Sequence, residues 1–155
     1  MTTPSIVPTS FTATDKDFLQ APRTSNGTIA VVAGAVSVPT TTAATTVVGL
    51  FPFQKGASFH APSFYCGNFG AGSTTVSIGV VYDNNTDNTN DVDLFASAST
   101  APQSGGYVTL DEKEWLNYVT TANGWVAVTI NTADADATES ITFNVGVQYG
   151  AKIVA

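Results

Sequence analysis

The sequence predicts an all-β fold: an antiparallel β-sandwich preceded by an extended N-terminal arm, with one short helix. Three observations predict it. Apolar and polar residues alternate in several runs, most cleanly in 140–149, where Ile141, Phe143, Val145, Val147 and Tyr149 share one side and Thr142, Asn144, Gly146 and Gln148 the other. Turns bearing Gly, Asn or Pro separate these runs. Eight to ten such runs fit into 155 residues, which suits one sandwich domain and disfavours an α/β design.

Residues 1–27 read as an arm. They hold Pro4, Pro8 and Pro22 and isolated apolar residues (Ile6, Val7, Phe11, Phe18, Leu19) with no sustained period of 2 or 3.6. Two readings stand side by side: a disordered tail, or a segment that orders against a neighbouring subunit through its spaced apolar anchors. The sandwich domain is expected over 28–155.

Its first two strands, 28–38 and 47–53, are apolar on both faces, so both faces should be covered, with another subunit as a natural second cover. Shorter strands follow at 57–60 and 64–65. The run Gly67-Asn68-Phe69-Gly70-Ala71-Gly72 lacks a Lys and leads into a strand, so it reads as a long turn and not as a phosphate loop. In 74–82, Val76, Ile78, Val80 and Tyr82 alternate with Thr75, Ser77, Gly79 and Val81. Gly79 and Gly146 fall mid-strand, where glycine marks a bulge, a bend or a close backbone approach. Segments 94–99 and 107–110 are short strand candidates. Thr109 and Glu112 form a capping-box pair ahead of Leu110, Trp115, Leu116 and Val119, which predicts a helix of two to three turns. Asn123-Gly124 then turns the chain into the strand 125–130.

Composition narrows function mostly by exclusion. Only 11% of residues are charged, against about 25% in an average soluble chain, and 24 Thr help to supply polarity instead. The net charge is -7, and the five cations (Lys16, Arg23, Lys55, Lys113, Lys152) are scattered singly. No basic stripe exists to neutralise a phosphate backbone, so nucleic acid is not an expected partner. The first 15 residues lack Lys and Arg, which does not suit a signal peptide, and the longest apolar stretch, 29–38, is about half a membrane span. A soluble chain, with no membrane partner, is the expectation.

One His and one Cys leave little for catalysis, metal binding or a disulfide. His60 has no acid near it in sequence to orient it, and Cys66 has no neighbouring cation to activate it. No Gly-x-Ser-x-Gly elbow occurs, and Ser104 lacks a plausible base. No catalytic residue and no cofactor are expected, and the protein is read as a non-enzyme. Asp83, Asn85, Asp87 and Asp91 sit at positions 1, 3, 5 and 9 of a notional calcium loop. The match fails where Asn88 replaces the Gly and Leu94 replaces the bidentate Glu, so a solvated loop is the plainer reading.

Residues 51–69 contain six of the 16 aromatics. Such a concentration suits a core or an interface anchor, the core being the plainer of the two. The interface candidates are Phe11, Phe18 and Leu19 in the arm, Val32 and Val36 in the first strand, and Phe51, Phe53, Phe59 and Phe64 in the aromatic segment.

From Val47 to Tyr149 the order of features resembles tailed-bacteriophage head decoration, or capsid cement, proteins of the jelly-roll type. The likeness is carried by Phe51-Pro52-Phe53-Gln54-Lys55-Gly56-Ala57-Ser58-Phe59 and by the glycine turn and strand from Gly67 to Gly79. It continues through the Asn/Asp loop, Leu94-Phe95-Ala96-Ser97-Ala98, Gly124-Trp125-Val126-Ala127-Val128 and Phe143-Asn144-Val145-Gly146-Val147. It covers about two-thirds of the chain and omits the arm. The resemblance implies a protein made in the host cytoplasm that sits on the virion exterior, a homo-oligomer and commonly a trimer, clamping neighbouring major capsid protein subunits. The alternative is a glycan- or receptor-binding jelly-roll module of a virion, with Trp115 or Trp125 as a stacking platform.

Overall fold

The structure, a computed structural model, describes residues 4, 6, 29–39, 42–69, 73–84, 86–110, 113–132 and 139–149. Eight strands follow in order: β1 (Ile29–Val38), β2 (Val47–Phe53), β3 (Ala57–Cys66), β4 (Thr75–Tyr82), β5 (Asp91–Ser99), β6 (Gly106–Tyr107), β7 (Gly124–Thr132) and β8 (Glu139–Tyr149). They form two four-stranded sheets of order β1-β8-β3-β6 and β2-β7-β4-β5, with every paired strand antiparallel. Each sheet-mate pair (1 with 8, 2 with 7, 3 with 6, 4 with 5) sums to the same number. That is the signature of one long hairpin of paired strands rolled into a sandwich, the eight-stranded jelly roll.

The alternation seen in the sequence sets the core. The inward residues of β8, from Ile141 to Tyr149, and of β1, Val32, Val36 and Val38, are buried, as are Val126, Val128 and Ile130 of β7. Phenylalanines knit the sheets together. Phe51 of β2 packs on Phe143 of β8 with ring centroids 5.5 Å apart, and Phe59 of β3 meets Phe53 of β2 at 5.9 Å and Phe95 of β5 at 5.4 Å. Such pairs contribute about 0.5–1.5 kcal/mol each beyond their buried area.

Several expectations need correction. The two short strands expected at 57–60 and 64–65 are one strand, β3. A register shift between His60 and Ser63, with Ala61 at φ 45°, absorbs Pro62, which has no N–H for a regular ladder. The strand expected over 107–110 is only the two-residue β6. The expected helix is a single 3-10 turn, Glu114–Asn117, preceded by Lys113 with no side-chain cap. Leu116 and Val119 stay exposed, so the expected apolar helix side does not form. Just beyond, Thr120 is held by the sandwich: its hydroxyl donates to the Gln54 carbonyl at 2.8 Å and accepts the Ala57 N–H at 2.9 Å. That tie draws the chain into extended backbone before another helical turn can form.

The double-sided burial expected for the first two strands divides. Strands β2, β7 and β4 are buried on both faces, and their outer cover comes from the same chain, while β5 keeps exposed residues such as Val92. Gly49, Ala127 and Gly79 stand in register across β2, β7 and β4. Pro4 lies over Gly49, and the backbone of Asp91 and Val92 lies over Gly79, the close approach that mid-strand glycine forecast. By contrast β1 is covered on one face only, leaving Ile29 49% and Val31 66% exposed.

Candidate interaction surface

The uncovered face is the outer side of β1-β8-β3-β6. Register places its residues in rows: Ala35, Thr142, Tyr65 and Tyr107; Ala33, Asn144 and Ser63; Val31, Gly146 and His60; Ile29 and Gln148, whose β3 partner Ser58 is fully buried. Among the described residues these rows contain no Asp, Glu, Lys or Arg. In a chain with 12 acids that is a distinct surface: neutral and partly apolar.

One corner is concave. Tyr65 and Tyr107 meet edge to face with centroids 5.1 Å apart and an interplanar angle of 80°. Beside them opens a cavity of about 300 Å³ lined by Ser63, Tyr65, Tyr107, Thr142, Phe143 and Asn144. Tyr107 is 75% exposed, the most solvent-facing large apolar side chain among the described residues. The sequence signal for this site was faint. Tyr107 stood beside Gly105-Gly106 with no alternating run around it, and only the β3–β6 pairing brings it to Tyr65.

The interface candidates fall differently. Val32, Val36, Phe51, Phe53, Phe59 and Phe64 are all within 3% of full burial in the sandwich core, the plainer of the two readings for the aromatic segment. On β1 the side chains turned to solvent are their neighbours Ile29 and Val31. Phe11, Phe18 and Leu19 lie outside the described residues. So does most of the arm, but Pro4 is buried and Ile6 forms a parallel bridge with Val48, its carbonyl accepting the Gly49 N–H at 2.6 Å. Ile6 thus pairs with the free edge of β2, while Pro4 packs on its face at Gly49.

The titratable residues have structural surroundings. Cys66 is fully buried, and burial pushes its thiol up to about 12, which leaves no thiolate at neutral pH. His60 is half-buried, with Ser58 Oγ 3.5 Å from its Nε2 and no carboxylate in its row. Tyr82 and Tyr118 share a hydrogen bond of 2.6 Å; burial first, then that bond, raises Tyr118 well above the usual phenol range.

The acidic loop is bonded to itself. Asn84 Oδ1 accepts the Thr86 N–H at 3.0 Å, Asn88 Nδ2 donates to the Asn84 carbonyl at 3.1 Å, and Thr121 Oγ1 donates to Asn88 Oδ1 at 2.8 Å. Among the described residues no three His, Cys, Asp or Glu side chains gather as a metal set would require, and of the calcium candidates Asp83, Asp87 and Asp91 are described while Asn85 is not. The two stacking candidates of the glycan reading are occupied: Trp125 is 5% exposed, and Trp115 packs on the core with its ring centroid 6.4 Å from that of Phe95.

No protein-family model matches the sequence, and no curated protein matches it. Solved structures do. A chain from the capsid of Ralstonia phage GP4 superposes with a TM-score of 0.63 at 16% identity, covering 82% of this chain and 88% of that one. A chain from the cyanophage Pam1 capsid asymmetric unit gives a TM-score of 0.57 at 18% identity, covering 81% of this chain and 87% of that one. The sandwich therefore has a fold found in phage capsids.

Proposed function

We propose that this protein is a virion structural protein that decorates the outside of a phage capsid and stabilises it by bridging neighbouring major capsid protein subunits, as a homo-oligomer and specifically a trimer. The observation that carries the reading is the jelly roll itself, shared over more than four-fifths of the chain with two phage-capsid chains. The charge-free face supports it. Burying the β1 side of this neutral sheet against protein desolvates few ions, and Ile29 and Val31 offer apolar area there, away from the β6 edge. A cementing role needs shape and area, which also agrees with the structural surroundings of His60 and Cys66.

The test is direct. Purified protein should show a trimeric native mass at micromolar concentration, co-sediment with expanded empty capsids of its phage, and raise their resistance to heat. A monomer that leaves those capsids unbound overturns the reading.

A further inference from the structure

We propose that the cleft beside Tyr65 and Tyr107 binds an uncharged saccharide, with Tyr107 as the stacking ring and Asn144, Thr142 and Ser63 as the hydrogen-bonding groups. A pyranose presents an apolar C–H face and a rim of hydroxyls. It asks for an aromatic face, for neutral donors and acceptors, and for no charge. The cleft supplies that combination.

Tyr107 is 75% exposed, and its edge-to-face contact with Tyr65 steadies the pair while leaving ring surface open to solvent. Asn144 brings an amide that both donates and accepts, and Ser63 and Thr142 bring hydroxyls; all three are exposed. Among the described residues no cation lines the cleft to hold a phosphate or carboxylate, and three polar side chains would be wasted on a purely apolar ligand. The volume, about 300 Å³, is at the small end of ligand sites, which suits one or two sugar rings.

The backbone holds these groups in place. Tyr65 is the register partner of both Thr142 and Tyr107, and Ser63 is that of Asn144, so three adjacent strands fix the set before any ligand arrives. The cleft lies at the β6 edge of the sheet, while Ile29 and Val31 lie on β1 at the opposite edge. Sugar binding is therefore separable from self-association and from capsid decoration.

The experiment is a glycan array carrying neutral, sialylated and sulfated oligosaccharides, followed by calorimetric titration of the neutral hits into the full chain. Saturable binding to a neutral glycan is expected. Tyr107→Ala should weaken it about tenfold or more, a scale set by the loss of one aromatic contact. Asn144→Ala should also weaken it, and Val31→Ser should leave it unchanged. Tyr107→Ala and Asn144→Ala alter exposed side chains, and circular dichroism checks that both still fold. Capsid co-sedimentation of the same variants should stay intact, which keeps failure of this proposal distinct from failure of the decoration role. No saturable neutral binding, binding confined to acidic glycans, or binding indifferent to Tyr107→Ala each overturns the proposal. So does a Tyr107→Ala variant that changes only oligomeric mass, since the face would then be a subunit contact.

Discussion

Pro4 is packed so closely on Gly49 that a Cβ added to Gly49 would come within 2.8 Å of the Pro4 Cβ and 2.9 Å of the Trp125 ring. Pro4 thereby acts as a clasp over the outer face of the second sheet. Removing residues 1–6 should uncover Trp125 and the β2 edge together. In a Trp115→Phe background, the Trp125 emission of the truncated chain should shift to the red, with stability lower by about 1–2 kcal/mol from the lost apolar burial. Unchanged emission would show that the clasp does not shield the ring.

Gly79 sits under backbone. A Cβ there would collide with the Asp91 carbonyl and the Val92 backbone, neither of which can rotate aside as a side chain would. Gly79→Ala should cost about 3 kcal/mol, the upper end of ordinary overpacking penalties. Among the described residues no heavy atom lies within 4 Å of a Cβ added at Gly106, so Gly106→Ala should stay within about 0.5 kcal/mol of the parent. Urea unfolding of the two variants side by side measures the contrast, and equal midpoints would contradict it.

Alkaline pH should loosen the fold. The folded Cys66 thiol keeps its proton to about 12, whereas an unfolded thiol releases it near 9.0. Between those values unfolding releases a proton, so this stabilisation is complete below pH 9 and declines as pH rises toward 12, by at most about 1.4 kcal/mol per unit. The raised Tyr118 acts in the same direction above its ordinary value of 10.0. Urea midpoints at pH 8, 9.5 and 11 should fall in that order, and Cys66→Ala should flatten the first interval. An aromatic disulfide reagent at pH 8 should label Cys66 only at the rate of unfolding.

Val31 has 66% of its surface exposed near the start of edge strand β1. Val31→Asp should leave stability within about 1 kcal/mol, the span of strand preferences, yet abolish self-association at micromolar concentration if this face is the subunit contact. Analytical ultracentrifugation reads the outcome, and a variant that still forms the parental oligomer would move the contact elsewhere.

The strands were legible because their pattern is local. The alternation of 140–149 told which residues of β8 are dry, and Thr142 and Asn144 are exposed as it required. The same reading placed Ser77, Gly79 and Val81 on the opposite face of β4 from Val76, Ile78, Val80 and Tyr82, and Ser77 and Val81 are buried there too. Period 2 assigns a residue to a face without saying what lies over it. Ser77 tolerates cover because its hydroxyl accepts the Ala98 N–H at 3.1 Å and the Asn131 Nδ2 at 2.8 Å, partners 21 and 54 residues away. The helix over-read has the same root. A capping box is a local preference, and the bonds of Thr120 to Gln54 and Ala57 are long-range.

The sequence by itself determined the class of fold, the sparse charge, the scarcity of acid/base chemistry and the dry face of the final strand. These follow from composition and from the two-residue repeat of an extended chain. Only the tertiary structure decided the roll of the strands, the cover that residue 4 and residues 91–92 lay over the second sheet, and the neutral face left bare on the first. It alone brought Tyr107 beside Tyr65, 42 residues earlier in the chain. Those outcomes depend on which strands pair and in what register, and pairing energy is gained between segments far apart in the chain, where no local pattern records it.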